Sequence, residues 1–159
     1  MDPDVLRKAK LRALHLLEYM DRTEKGLRQK LEQSGYPTEV VDEAIRYVKS
    51  YGYIDDKRYA DNYLRTRSNG KGRRRLFQEL YQKGIPSALV QEAWEELCVE
   101  QEPDEKASIG EMIEKKVGGQ TVFSRREYQR LTNYLARRGF SWGDISAVYQ
   151  DMGIEMDIE

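Results

Sequence analysis

The chain is 159 residues long, enough for one ordinary domain or several small ones. Its 27 Lys and Arg are balanced by 28 Asp and Glu, which excludes a uniformly basic nucleic-acid coat. A mean hydropathy of −0.83 argues against one large apolar core, while 39% hydrophobic residues, including 11 Tyr, 3 Phe and 2 Trp, exclude a disordered chain.

The first predicted helix, 4–20, carries Leu6, Ala9, Ala13, Leu17 and Met20 at helical spacing. Helices 24–34 and 38–50 follow, joined through Leu27-x-x-x-Leu31-x-x-x-Gly35-Tyr36-Pro37 and then Val40, Val41, Ala44 and Ile45. Leu at i and i+4 puts two knobs on one helical face. Gly four residues later can adopt φ > 0 and close the helix. Pro suits the start of the next helix, where a missing N–H costs nothing.

The same piece returns twice, at intervals of about 50 residues. Helix 56–68, with Asp55 as its expected cap, precedes helices 73–83 and 87–99, joined through Leu76, Leu80, Gly84, Ile85 and Pro86. Its apolar row continues as Leu89, Val90, Ala93 and Trp94. Helix 104–117 precedes helices 124–138 and 142–151, joined through Leu131, Leu135, Gly139, Phe140 and Ser141. Ser141 with Asp144 makes an N-cap pattern there. The fold expected is all-α: three tandem three-helix modules, helix-turn-helix-like, in an elongated array. Residues 1–53, 54–103 and 104–153 form the modules, and 154–159 an acidic tail expected to fray. Glu100-Gln-Glu-Pro-Asp-Glu105 reads as an acidic joint and 117–120 as a loop. Modules of this size are marginal alone and need their neighbours.

Charge is sorted along the chain. Between Lys57 and Arg75 only Asp61 is acidic; from Glu92 to Glu105 there is no base; the third module is basic again at Arg125, Arg126, Arg130, Arg137 and Arg138. Ser68-Asn-Gly-Lys-Gly-Arg-Arg-Arg75 feeds three arginines into a helix start, where each cation opposes the macrodipole by ~0.3–1 kcal/mol. The stretch is either a solvated basic helix start or one neutralised by a partner's carboxylates or phosphates, which Arg forks suit. Tyr47, Tyr51, Tyr53, Tyr59 and Tyr63 bracket the first joint, for packing or for partner contact.

Nothing supports an enzyme. One Cys and one His exclude an internal disulfide and a Cys/His zinc site; no metal or cofactor is expected. Gly70-Lys71-Gly72 lacks the spacing of a phosphate loop, and no hydrolase, metalloprotease or dinucleotide signature occurs. His15 and Cys98 read as structural. No apolar run is long enough to span a membrane. The opening Met1–Lys8 lacks the apolar stretch of a secretory signal, so a cytoplasmic protein is expected.

Gly52-Tyr-Ile-Asp-Asp56-Lys-Arg-Tyr59-Ala60 and Gly72-Arg-Arg-Arg-Leu76-x-x-Glu79-Leu80-x-x-Lys83-Gly84-Ile85 together resemble the central module of the bacterial RecX family. The resemblance spans roughly residues 9–152. It departs at Met20-Asp-Arg-Thr23 and Gly26, where the family commonly has Arg-x-x-Ser and an acid. It implies a non-enzymatic regulator of the RecA recombinase; a monomer is expected. Such a regulator binds the RecA–single-stranded DNA filament in its groove and inhibits ATP hydrolysis, strand exchange and co-protease activity. Single-stranded and double-stranded DNA are the nucleic-acid partners expected. Charge and loop position single out Arg65, Arg67, Lys71, Arg73, Arg74 and Arg75 as contacts, with Arg125, Arg126 and Arg130 second. The alternative is a helix-turn-helix-like DNA-binding module acting without RecA.

Overall fold

The computed structural model describes residues 1–101 and 103–157. Glu102 of the acidic joint, and Ile158 and Glu159 of the tail, lie outside the described residues. Nine helices and two very short strands occur among the described residues. The chain divides into two compact units, residues 1–63 with 80–94, and 64–79 with 95–159. The middle helices, α4 (Asp56–Arg67), α5 (Arg73–Gln82) and α6 (Ser87–Gln101), each run from one unit into the other.

The first unit is built on α1 (Pro3–Tyr19), α2 (Glu24–Gln33) and α3 (Thr38–Ser50). Asp2 caps α1 by accepting the Asp4 N–H at 2.9 Å, with Pro3 at the first helical position. Thr23 caps α2 by accepting the Gly26 N–H at 3.1 Å, and its hydroxyl donates to the Lys83 carbonyl at 2.8 Å. Asp55 caps α4 as expected, accepting the Arg58 N–H at 3.1 Å. The core joins Ala9, Ala13 and Leu16 of α1 to Leu27 and Leu31 of α2 and to Val40, Val41, Ala44, Ile45 and Val48 of α3. The small Ala9 and Ala13 let α1 lie close against α3.

The second unit contains α7 (Glu105–Val117), β1 (Val122–Phe123), α8 (Arg125–Arg137), α9 (Trp142–Met152) and β2 (Glu155–Met156). Its core draws Ile109 and Ile113 from α7, Leu131 and Leu135 from α8, and Ile145, Val148 and Tyr149 from α9, with Phe123 and Phe140. Ser124 and Glu127 form a reciprocal capping box on α8, and Ser141 caps α9 at 3.2 Å from the Asp144 N–H.

The three repeated glycines share one conformation. Gly35, Gly84 and Gly139 have φ of 90°, 91° and 94°, and each donates its N–H to the carbonyl three residues earlier. The left-handed turn that the Leu-x-x-x-Leu-x-x-x-Gly spacing predicts is therefore made three times over.

Two expectations are corrected. The tail does not fray over its described part: Ile154 is buried in the second core, and β2 pairs in parallel with β1, Val122 opposite Glu155. The Glu155 N–H donates to the Thr121 carbonyl at 2.8 Å and the Asp157 N–H to Phe123 at 2.7 Å. The acidic joint is shorter than its composition suggests, because α6 continues through Glu100 and Gln101.

Candidate functional site

The Ser68–Gly72 loop is fixed from both ends. Ser68 and Gly72 are buried, and the Gly72 N–H donates to the Arg138 carbonyl at 2.7 Å. The Arg138 guanidinium returns a bond to the Gly70 carbonyl at 3.2 Å. A Cβ on Gly72 would fall 2.4 Å from the Gly139 carbonyl oxygen, and one on Gly139 would fall 2.3 Å from Arg75 Cβ. Backbone thus packs on backbone where the loop meets the α8–α9 turn, and two glycines make that approach possible. The seam sets the first turn of α5 beside the last turn of α8.

Between them lies an open cleft of about 380 Å³ lined by Arg74, Arg75, Gln78, Asn133, Ala136, Arg137 and Gly139. Arg74 and Arg137 make no ion pair among the described residues. Guanidinium forks with two neutral amides beside them suit an anion of phosphate or carboxylate geometry.

The arginine-rich helix start is partly neutralised from within. Glu105 reaches the N-terminus of α5, accepting the Arg73 N–H at 2.7 Å. Burial pushes the Glu105 carboxyl above its ordinary value; the bond from Arg73 opposes this, and Asp144 adds to it. Glu79 takes Lys71 at 2.8 Å and Arg75 at 3.3 Å. Arg65 pairs with Glu100 at 3.0 Å, Arg67 donates to the Thr66 hydroxyl at 3.1 Å, and the Arg73 guanidinium lies 4.8 Å over the Phe77 ring. Of the five arginines and one lysine singled out in this stretch, Arg74 and Arg75 line the cleft.

Arg125, Arg126 and Arg130 lie on the first half of exposed α8, away from the cleft. Arg126 and Arg130, though not Arg125, are aligned with it. Arg126, Arg130, Asn133 and Arg137 are spaced by four, three and four residues, which places them on one face, opposite Leu131 and Leu135. At 1.5 Å per residue that stripe runs about 16 Å and ends in the cleft. The sequence reading missed Arg137, Gln78 and Asn133. The spacing of the α8 arginines would have found the first, whereas the other two are neutral and carry no signal.

His15 is exposed and Cys98 half-buried. Among the described residues no three His, Cys, Asp or Glu side chains gather as a metal site, and no helix is long and apolar enough to cross a membrane.

Three consecutive copies of a helix–helix–glycine–helix unit define an all-α modular protein. Comparison gives the family. Residues 9–47, 55–93 and 104–149 match the models of the first, second and third three-helix domains of RecX. The regulatory protein RecX of Vibrio vulnificus is 32% identical over 87% of this chain and 89% of its own length. That of Oceanobacillus iheyensis is 30% identical over 98% of this chain, but the chain spans only 57% of that relative's length. A crystal structure of regulatory protein RecX superposes with a TM-score of 0.76 at 28% identity, covering 92% of this chain and 74% of that one. The crystal structure of RecX from Lactobacillus salivarius shares the fold, with a TM-score of 0.74 at 24% identity over 94% of this chain and 97% of that one. The chain belongs to the RecX family, a family of regulatory proteins.

Proposed function

We propose that this chain regulates the RecA recombinase in the cytoplasm, as a monomer that binds the RecA–single-stranded DNA filament in its groove. In this reading it inhibits ATP hydrolysis, strand exchange and co-protease activity, and it carries no catalytic step of its own. The observation that carries the reading is the cleft of Arg74, Arg75 and Arg137 in a chain of the RecX family. A filament groove combines nucleic acid with acidic protein surface, and the sorted charges of this chain complement such a mixture in one register. Modules at 1–53, 54–103 and 104–153, seated across a protomer junction, would resist the change in junction geometry that accompanies ATP turnover.

The test is DNA-dependent ATP hydrolysis by preassembled RecA filaments, titrated with the chain at physiological salt. Inhibition at or below one chain per RecA is the expected result. The variant Arg74→Glu/Arg137→Glu should require at least about tenfold more protein, the scale of one lost charge-assisted contact or more. No inhibition by the unaltered chain, with binding to bare DNA retained, would favour a DNA-binding module acting without RecA.

A further inference from the structure

A second candidate site lies in the first unit and shares no residue with the arginine cleft. Helix α3 ends in a Schellman turn: the Gly52 N–H donates to the Lys49 carbonyl at 3.0 Å and the Tyr53 N–H to Val48 at 2.9 Å, with Gly52 at φ 72°. This turn folds Tyr53 back beside Tyr51. Their rings stack at 5.7 Å with only 16° between planes. One helical turn earlier, Tyr47 meets Tyr51 edge-on at 5.1 Å. Tyr47 packs against the core of the first unit, and Ile54, just past the ladder, is 3% exposed and belongs to the same core. The ladder is therefore anchored at both ends. Yet Tyr51 is 62% exposed and Tyr53 48%.

Keeping two large rings in water forgoes the burial that tyrosines usually obtain. Their mutual stacking recovers only part of it, and neither the Tyr51 nor the Tyr53 hydroxyl has a hydrogen-bond partner among the described residues. Two cations flank the rings. The Lys10 ammonium lies 4.7 Å over Tyr47, and the Arg58 guanidinium donates to the Gly52 carbonyl, between Tyr51 and Tyr53, at 3.0 Å. Neither makes an ion pair among the described residues. The nearest acid in sequence, Asp55, is occupied as the cap of α4.

We infer that the stacked Tyr51–Tyr53 pair, braced edge-on by Tyr47, is a stacking platform for the unpaired bases of a single nucleic-acid strand, with Lys10 and Arg58 on the flanking phosphates. Two flat, parallel, exposed rings are sequence-tolerant because every base has a π-face, and cations beside them follow the backbone. A protein partner would bury these rings without regard to a base, so the comparison of base-bearing and abasic strands separates the two occupants. The inference goes beyond the regulatory reading, because it needs no RecA.

The test uses the whole chain without RecA. A labelled oligothymidylate of about 20 nucleotides and an abasic strand of the same length and charge are titrated at fixed salt. The unaltered chain should bind the base-bearing strand at least about tenfold more tightly. Tyr51→Leu/Tyr53→Leu keeps apolar bulk at exposed positions but removes the rings, and should erase that preference while leaving abasic binding unchanged. Tyr51→Phe/Tyr53→Phe should retain it. Equal binding of the two strands by the unaltered chain overturns the inference, as does an equal loss on both strands in the Leu variant. Intact oligonucleotide binding by the Leu variant, with inhibition of RecA filaments lost, would assign the ladder to a protein partner and overturn it too. A failure of the RecA reading would leave the strand comparison untouched.

Discussion

At the residue scale the decisive positions are those where a single atom is forbidden or a single charge is half-hidden. Gly72 and Gly70 lie two residues apart in one loop and differ completely. A Cβ at Gly72 meets the Gly139 carbonyl carbon and oxygen and the Phe140 nitrogen, all backbone, while a Cβ at Gly70 meets nothing within 4 Å. Gly72→Ala should therefore push the loop off the α8–α9 turn and cost roughly 1–3 kcal/mol, as overpacking does. Gly70→Ala should cost less than about 0.5 kcal/mol. Paired thermal melts check this, and equal losses would remove the seam from the account of the cleft. Asp56 is the charge counterpart. It accepts the Glu24 N–H at 2.9 Å, yet burial raises its carboxyl above the ordinary 3.8, with Glu24 and Asp55 adding to the effect and Lys49 opposing it. A carboxyl that titrates higher when folded favours the fold in its protonated form. Its contribution is full below the unfolded value near 3.8 and is lost as pH rises through the folded value. Asp56→Asn keeps an oxygen for the Glu24 N–H and removes the charge. Its melting temperature relative to the unaltered chain should rise between about pH 3.5 and pH 7. A pH-independent difference would show that Asp56 acts through its hydrogen bond alone.

At the element scale, helices with a repeated pattern were legible and short pairings were not. Leu27, Leu31 and Gly35 announce their helix end, and the same spacing at Gly84 and Gly139 announces two more. The β1–β2 pairing left no trace, since strands of two residues have no period to detect. The acidic composition around Ile154 pointed to a frayed tail, but one buried isoleucine and two backbone bonds dock it. Ile154→Ala should cost about 2 kcal/mol, the low end for this change because Ile154 keeps 8% of its surface exposed. Amide exchange should rise together at Glu155 and Asp157, which depend on the same docking. Protection unchanged in that variant would mean that the strand pairing holds the tail without the side chain. The candidate site was legible in the same uneven way. The Arg73-Arg74-Arg75 run is conspicuous in sequence, and the i,i+4 pairing of Arg75 with Glu79 is local to α5, but the contact of Glu105 with the helix start is tertiary. The partner that the helix dipole argument calls for is, for Arg73, supplied by a residue 32 positions away. What survives as unmatched charge is Arg74, and with it Arg137, which only the packing at Gly72 and Gly139 brings to the same cleft.

At the scale of the whole molecule, near-zero net charge and strong local charge coexist, and the two make different demands on salt. A chain of formal charge −1 has little long-range attraction for a polyanion. Any affinity for DNA must come from local contacts, which along the arginine stripe and its cleft are Arg74, Arg126, Arg130 and Arg137. The four phosphates they would neutralise on a single strand add about −2.8 to the slope of log affinity against log salt, a factor of about 50 between 50 and 200 mM. Arg74→Ala/Arg137→Ala should weaken binding and also make that slope shallower by about 1.4, because two fewer counterions are released. Tyr51→Leu/Tyr53→Leu should weaken binding to a base-bearing strand with the slope unchanged, because stacking releases none. Binding isotherms at four or five salt concentrations separate these two kinds of loss. An arginine variant that weakens binding at constant slope would mean that Arg74 and Arg137 hold the protein together rather than the phosphates. The same titration on a RecA filament should be shallower than on bare DNA, because contacts to protein surface then carry part of the affinity; a slope as steep as on bare DNA would return the chain to the class of DNA-binding modules that act without RecA.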